Sequence, residues 1–179
     1  MDHFENIIKT LLEAEGYWVR QSFKVNLSKE EKRRIGRPSI PRPEIDLLAF
    51  SLSQNLALAL EAKSFLDSPG VRLSDLQEKF ETPKGRYKLF TCQPYRDTVL
   101  RRLAADLISL GMANKSTKVQ LGLASGKVYQ GRSDEVRQLM ECSGWFFWSP
   151  DDVKKRVTKL AAQGYENDAA IITAKILMR

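Results

Sequence analysis

The sequence has little of what most metal and thiol sites require. It contains one histidine, His3, and two cysteines, Cys92 and Cys142. Nothing near His3 in the sequence completes a ligand set or a nucleophilic triad, so we assign it no role. The cysteines lie far apart without a C-x-x-C spacing. They therefore predict reduced thiols rather than a disulfide framework or a thiolate zinc site.

Long apolar runs, repeats and linkers are also missing. No run approaches the roughly 20 apolar residues that cross a bilayer, and no basic segment followed by a hydrophobic one begins the chain. We therefore expect a cytoplasmic protein without a membrane partner. The 179 residues, 42% of them hydrophobic, suffice for a single domain over 1–179. Its core should cover about 1–148, with C-terminal helices over about 149–179 packed on it.

The charge balance favours polyanionic partners. Lys and Arg total 29 against 22 Asp and Glu, a formal net charge of +7. Basic residues concentrate in 28–42, where Gly36, Pro38 and Pro41 predict an irregular cationic loop. Such a loop binds phosphates, and a solvated charge run is the alternative. The candidates for contacts to a nucleic-acid backbone are Lys32, Arg33, Arg34, Arg37 and Arg42.

The hydrophobic periodicity predicts an α/β domain whose mixed central sheet is flanked by helices. Three antiparallel strands come first, and later strands add in parallel. The final helices are expected to pack on the core, in preference to forming a helix-turn-helix. The residues expected to make this contact are Val153, Val157, Leu160, Ile171, Ile172 and Ile176. The aromatic residues of 145–148 are likewise expected in the core. Outside the hairpin described next, the predicted helices are 2–15, 71–80, 94–110, 133–142, 150 to about 163 and one after Gly164-Tyr165, and the predicted strands are 17–27, 118–124 and 145–148.

The most informative stretch is a predicted β-hairpin over 43–65. Its two apolar runs, 45–50 and 56–60, are separated by polar residues. A two-residue loop at either 53–54 or 54–55 would place Asp46 opposite Glu61 or opposite Lys63, respectively. Glu61 and Lys63 alternate with larger apolar residues, so they share the face of the small Ala57 and Ala59. The three charged groups therefore converge.

This combination suits phosphodiester hydrolysis. Two carboxylates supply the oxygen ligands that Mg²⁺ takes together with water and substrate phosphate. A nearby ammonium holds or activates the attacking water and offsets charge on the phosphorane, and a divalent ion makes water a stronger nucleophile. The alternative is a structural ion pair, in which Lys63 neutralises Asp46 and Glu61. Small neighbours on the same face and the adjacent basic segment favour the metal site.

At these residues the sequence resembles the PD-(D/E)xK nuclease superfamily, which carries an acid on the second strand and (D/E)-x-K on the third. Pro43-Glu44-Ile45-Asp46 and Glu61-Ala62-Lys63 match that layout, with two residues between the proline and the aspartate. Phe4-Glu5, Leu11-Leu12 and Gly16-Tyr17 look like the first helix of Mrr-type endonucleases and archaeal Holliday-junction resolvases. The segment 121–153 is similar to the end of the Mrr-type catalytic domain.

The resemblance implies a restriction endonuclease-like three-layer fold with a C-terminal helical pair, and Mg²⁺-dependent cleavage of nucleic acid, with DNA expected and Mn²⁺ able to substitute. It makes Asp46, Glu61 and the Ala62 carbonyl metal ligands, Lys63 the catalytic lysine and Glu5 an auxiliary ligand. Spacing alone favours a solvated Glu5, and the role of Glu44 stays open. The rival functions are an inactive nuclease-like module that binds nucleic acid or protein and a structural assembly subunit. A homodimer, the substrate's form and endo or exo cleavage are left open.

Overall fold

The computed structural model describes residues 3–162, 164 and 167–178. Within them, five strands form one sheet and eight α-helices surround it. The expected helix start at Asp2, helix end at Gln163 and break at Tyr165 lie outside the described residues. The strands are β1 (Trp18–Lys24), β2 (Glu44–Ser51), β3 (Leu56–Lys63), β4 (Lys118–Ser125) and β5 (Phe146–Trp148). The helices are α1 (His3–Ala14), α2 (Lys29–Arg34), α3 (Leu73–Gln77), α4 (Lys88–Thr91), α5 (Gln93–Ser109), α6 (Ser133–Cys142), α7 (Pro150–Ala161) and α8 (Ala169–Leu177).

The sheet is mixed, and its spatial order follows the chain from β1 to β5. β1, β2 and β3 pair antiparallel, whereas β4 is parallel to β3 and β5 is parallel to β4. A four-residue turn joins β2 to β3, whereas the connection from β1 to β2, residues 25–43, contains α2. The parallel strands are joined by crossovers that contain α3 to α5 and α6. The expected α/β class and mixed sheet are thus confirmed.

Helices cover both faces of the sheet. On one face, α1 packs through Ile8 and Leu11 against Leu58 and Leu60, and the same core includes residues of α7 and α8. On the other face, α5 packs against the small Ala57 and Ala59 through its buried Val99, Leu103 and Leu107. Each fully buried apolar side chain of this kind stabilises the fold by about 1.5–3 kcal/mol relative to exposure. Within the described residues, no helix is long and apolar enough to cross a bilayer.

The packing prediction for the last two helices is confirmed in most positions. Val153, Leu160 and Ile171 are buried in the core that they share with α1. Val157 packs against that core and is partly buried, as is Ile172. Ile176 is 67% exposed, so its predicted burial was wrong. The aromatic strand is a core element as expected, since Phe147 and Trp148 are buried.

The hairpin between β2 and β3 has the first of the two predicted registers. Leu47 pairs with Leu60, and Ser51 pairs with Leu56. Residues 52–55 form a four-residue turn rather than a two-residue loop. Asn55 takes a left-handed φ of 49° within this turn, which asparagine tolerates. One step beyond the last pair, this register brings Asp46 opposite Glu61.

The segment 28–42 is not irregular throughout, which corrects the sequence prediction. Residues 29–34 form α2, because Ser28 and Glu31 make a reciprocal capping box at its start. The carboxylate of Glu31 also accepts from Arg102 of α5 at 2.9 and 3.1 Å. Gly36, with a φ of 69°, follows the end of this helix, and Pro38 lies in a turn in which the Ile40 N–H donates to the Arg37 carbonyl.

The predicted helix over 71–80 is shorter than expected. Val71 forms a parallel bridge with Val128, accepting from Tyr129 and donating to Lys127, so the helix begins only at Leu73. A further short helix, α4, follows the turn that precedes α5 and was not predicted. Its backbone N–H groups donate back to Tyr87 and Lys88.

Gly126 lies directly after β4, where the backbone leaves little room for a side chain. Its N–H donates to the carbonyl of Lys63 at 2.9 Å, and an added Cβ would lie 2.5 Å from the backbone oxygen of Ser64. We predict that Gly126→Ala lowers the free energy of unfolding by about 1–3 kcal/mol, because the backbone must shift. Gly164→Ala is the control, since its Cβ would meet no atom within 4 Å. Equal urea midpoints for both variants would contradict the prediction.

Candidate active site

Asp46 lies where β2 separates from both of its neighbours. Pairing with β3 ends at Leu47, and pairing with β1 is interrupted opposite Asp46 at Ser22, whose φ is 52°. The Asp46 carboxylate takes the place of a backbone partner, accepting from the Ala62 N–H at 2.9 Å. The separation of the strands thus opens space for a side-chain carboxylate between two backbones.

Lys63 joins the two carboxylates. Its Nζ lies 3.0 Å from Asp46 Oδ2 and 3.1 Å from Glu61 Oε2. Glu61 and Lys63 alternate with Ala62 along β3 and so share the face of Ala57 and Ala59. β4 supports this end of β3 from the other side, pairing Lys63 with Ser125 in parallel register. The structure therefore brings together the three residues that the hairpin pattern singled out.

The charges of this cluster do not balance, because two carboxylates face one ammonium. Burial alone would lower the pKa of Lys63, but Glu61 and Asp46 outweigh it and hold that pKa above its usual value. Burial raises the pKa of Glu61 and Asp46 raises it further, whereas the positive charges of Lys63 and Lys88 compensate only in part. The ammonium of Lys63 thus has two carboxylate partners, and the charge of Glu61 is incompletely compensated.

Two adjoining cavities lead to these side chains. One has a volume of about 310 Å³ and is lined by Asp46 and Glu61 at its inner end. The other, of about 520 Å³, lies between residues 36–41 and residues 83–88. Both are lined by Ile40, Pro41, Gly85 and Lys88, so they adjoin, and we call the two together the cleft. Its two walls are residues 36–43 and residues 83–88.

Only part of the predicted phosphate-binding set reaches the cleft. Arg37 and Arg42 line it, on the first wall. Lys32, Arg33 and Arg34 lie on α2 and are not among its lining residues. Their proposed contacts to a nucleic-acid backbone stay predictions, as do those of the other two arginines.

The second wall contains residues that the sequence did not connect with the site. Lys84, Arg86 and Lys88 line the cleft opposite the arginines, and Tyr95 of α5 lies at its inner end. Burial raises the pKa of Tyr95, and the negative charge of Glu61 raises it further, so the phenol stays protonated. The available sequence signal was the basic turn before α4, but no spacing rule links that turn to β3.

Glu5 lies in the first turn of α1 and is half-buried. The helix packs against the face of the sheet opposite Glu61 and Lys63. Its N-terminal end nevertheless lies at the same end of the sheet, since a Cβ on Gly126 would lie 3.2 Å from the Phe4 ring. The auxiliary ligand role of Glu5 stays a prediction.

The donor set fits a weakly caged, oxygen-binding cation. Across residues 3–162, 164 and 167–178, no group of three or more His, Cys, Asp and Glu side chains is placed to hold a metal ion. The site has two carboxylates, those of Asp46 and Glu61. The backbone of Ala62 lies next to them, since its N–H donates to Asp46. Mg²⁺ commonly takes one or two carboxylates and completes its shell with water and substrate phosphate. Both cysteines are free, Cys92 buried and Cys142 exposed, and neither lines the cleft.

Comparison of the chain with protein-family models, with curated proteins and with solved structures gave no match. Membership of the PD-(D/E)xK superfamily therefore stays a proposal that depends on the residues described above.

Glu61→Gln tests whether the cluster is a structural ion pair. Because the pKa of Glu61 is raised in the folded protein, the folded state binds the proton more tightly than the unfolded state does. Protonated Glu61 therefore stabilises the fold at low pH, and this stabilisation is lost as the pH rises through the folded pKa. We predict that Glu61→Gln, measured without divalent ions, equals wild type near pH 4 and is more stable by on the order of 1 kcal/mol at pH 8.

The matched control is Glu44→Gln, which removes a carboxylate from an exposed pair with Lys24 at 3.8 Å. Its stability should stay within about 0.5 kcal/mol of wild type at both pH values. Urea unfolding provides the measurement. A stabilising ion pair predicts the opposite sign, so a loss of stability in Glu61→Gln at pH 8 would refute our interpretation.

Proposed function

We propose that the chain is a divalent-metal-dependent nuclease of the PD-(D/E)xK type, with a restriction endonuclease-like fold and DNA as its substrate. The observation that supports this best is the cluster of Asp46, Glu61 and Lys63, which has one net negative charge and opens into a cleft lined by cations. An ion pair would need only one carboxylate, whereas a divalent cation and a phosphate together need both charge signs in one place.

Asp46, Glu61 and the Ala62 carbonyl would hold the ion. When bound, Mg²⁺ supplies Lewis-acid polarisation of the phosphate and activation of water. The Lys63 ammonium now lies between the carboxylates, so it must leave them for the ion to bind. Its displaced ammonium, still close to the scissile phosphate, would orient the attacking water and stabilise the charge that develops on phosphorus oxygens.

The cleft would position the substrate. Arg42 and Lys88 line the part of the cleft that contains Asp46 and Glu61, on opposite walls. They are therefore placed to hold the phosphate on which the carboxylates and Lys63 act. Arg37 and Lys84 line the outer part, where they would bind phosphates of neighbouring nucleotides. Contacts of this kind fix position without reading sequence, and they make binding sensitive to salt.

One specific observation favours the rival function, a nuclease-like module without catalysis. Lys63 already bridges both carboxylates, as a purely structural cluster also would. Such a module would still bind nucleic acid in the basic cleft. It would show no uptake of Mg²⁺ or Mn²⁺ that depends on Asp46 and Glu61.

Cleavage tests the proposal directly. We predict that Asp46→Asn and Lys63→Met each lower Mg²⁺-dependent cleavage of DNA at least about a thousandfold. Asp46→Asn removes a carboxylate ligand of the metal ion, and Lys63→Met removes the ammonium. Asp97→Asn and Lys24→Met are the matched controls on exposed residues and should cleave as wild type does. The assay uses a panel of DNA and RNA structures with Mg²⁺ and with Mn²⁺. Undiminished cleavage by either site variant would refute the assignment of Asp46 and Lys63 to a nuclease active site.

Metal binding separates the two functions without relying on cleavage. We predict that Lys63→Met binds Mn²⁺ about tenfold more tightly than wild type, because no ammonium competes for the carboxylates. Asp46→Asn should bind it at least about tenfold more weakly. Isothermal calorimetry of the full chain measures both, with Lys24→Met expected to match wild type. The inactive module predicts that none of these proteins takes up the ion.

A further inference from the structure

The two carboxylates are mostly buried and line the smaller cavity of the cleft. The side chain of Asp46 is 20% exposed and that of Glu61 is 13% exposed, so a phosphate must enter the cleft to reach them. The part of the cleft that they line has a volume of about 310 Å³, and the outer part about 520 Å³. Both volumes are of the order of sites that hold a small ligand, about 300–1,000 Å³.

Contacts at the outer end hold the two walls together. Arg37 Nε of the first wall donates to the Pro83 carbonyl of the second at 3.2 Å. Gly36 lies so close to Thr82 that an added Cβ would be 2.9 Å from its Cγ2. Arg37 is exposed, but this hydrogen bond fixes its side chain across the outer end of the cleft. Spreading the walls to admit a wider ligand would break these contacts.

The cations of the second wall contact aromatic rings, of which Tyr95 lines the cleft and Phe80 and Phe65 lie outside its lining. Lys84 Nζ lies 4.1 Å from the centre of the Phe80 ring, and the Arg86 guanidinium lies 5.8 Å from that of Phe65. Lys88 Nζ lies 5.8 Å from the centre of the Tyr95 ring. Cation–π contacts restrict the positions of such side chains in advance of binding. The first wall opposes them with Arg37 and Arg42.

We propose that the cleft admits one strand of nucleic acid and excludes an intact duplex. A strand passing between the walls receives cations from both sides, which is the arrangement of grooves that track a single backbone. A duplex keeps its phosphates on the outside of a much wider cylinder and contacts only the rims. The substrate class is therefore single-stranded regions, such as flaps, gaps and frayed ends. This inference rests on the proposed function, because it takes the cleft as the route to the catalytic residues.

The test measures binding by the full-length Asp46→Asn protein, which separates binding from cleavage. The probes are a fluorescent single strand of about 20 nucleotides in DNA and in RNA form, and the same DNA as a blunt duplex. We expect the single-stranded DNA to bind about tenfold or more tightly than the duplex, at about 50 mM and at about 200 mM salt. Single-stranded RNA that binds equally well also supports a single-strand cleft. Fluorescence anisotropy gives each Kd.

Paired charge variants locate the binding. In the same background, Lys84→Ala with Arg86→Ala should weaken single-strand binding about tenfold or more, since two phosphate contacts are lost. Lys154→Ala with Lys155→Ala removes the same charge from exposed positions on α7, which packs on the other face, and should leave binding unchanged. Equal losses in both pairs would overturn the inference, because attraction would then depend on net charge alone.

The outcomes keep this inference apart from the proposed function. Duplex that binds as tightly as single strand, or that the wild type cleaves as fast, overturns the inference while metal-dependent cleavage stands. Single-strand preference that depends on Lys84 and Arg86, in a protein that cleaves nothing, supports the inference and refutes catalysis.

Discussion

The ammonium of Lys63 between the carboxylates of Asp46 and Glu61 is the interaction on which the rest of the site depends. It forms only because β2 leaves β3 at Asp46, so that a carboxylate instead of a carbonyl accepts from Ala62. Ser22, with its left-handed φ, interrupts the pairing on the other side of Asp46. The carboxylate of Asp46 thus occupies a place in the sheet where a backbone carbonyl would otherwise accept a hydrogen bond. A regular three-stranded sheet would leave no room for this carboxylate.

The two faces of β3 explain why this end of the sheet remains open. On the face of α1, Leu58 and Leu60 fill the space between sheet and helix. On the other face, Ala57 and Ala59 lie under α5, and the same row ends in Glu61 and Lys63. The charged residues therefore follow directly after the best-packed part of the core. A rigid support of this kind holds charged groups close together at the expense of stability, as functional sites commonly do.

The sequence predicted the elements whose pattern is local. The helix and strand signals of α5, α6 and β4 lie within short windows, and the hairpin pattern brought Asp46, Glu61 and Lys63 onto one face. It missed α2, because Gly36 and the prolines suggested a loop although the Ser28–Glu31 capping box was present in the sequence. It also missed the second wall of the cleft. The contact of Arg37 with Pro83 spans 46 residues and results from tertiary packing, which no residue spacing encodes.

Charge balance links these features to a reaction. The cluster alone has one net negative charge when both carboxylates are ionised. Its carboxylates hold the proton on Lys63, while burial and the charge of Asp46 raise the pKa of Glu61. A bound divalent cation would reverse the sign to one net positive charge. A phosphodiester, with its single negative charge, would then bring the site to neutrality in a space where uncompensated charge is costly. On this count, which covers Asp46, Glu61 and Lys63 alone, the proposed site would be most favourable with both ligands bound, a property that a structural ion pair does not need.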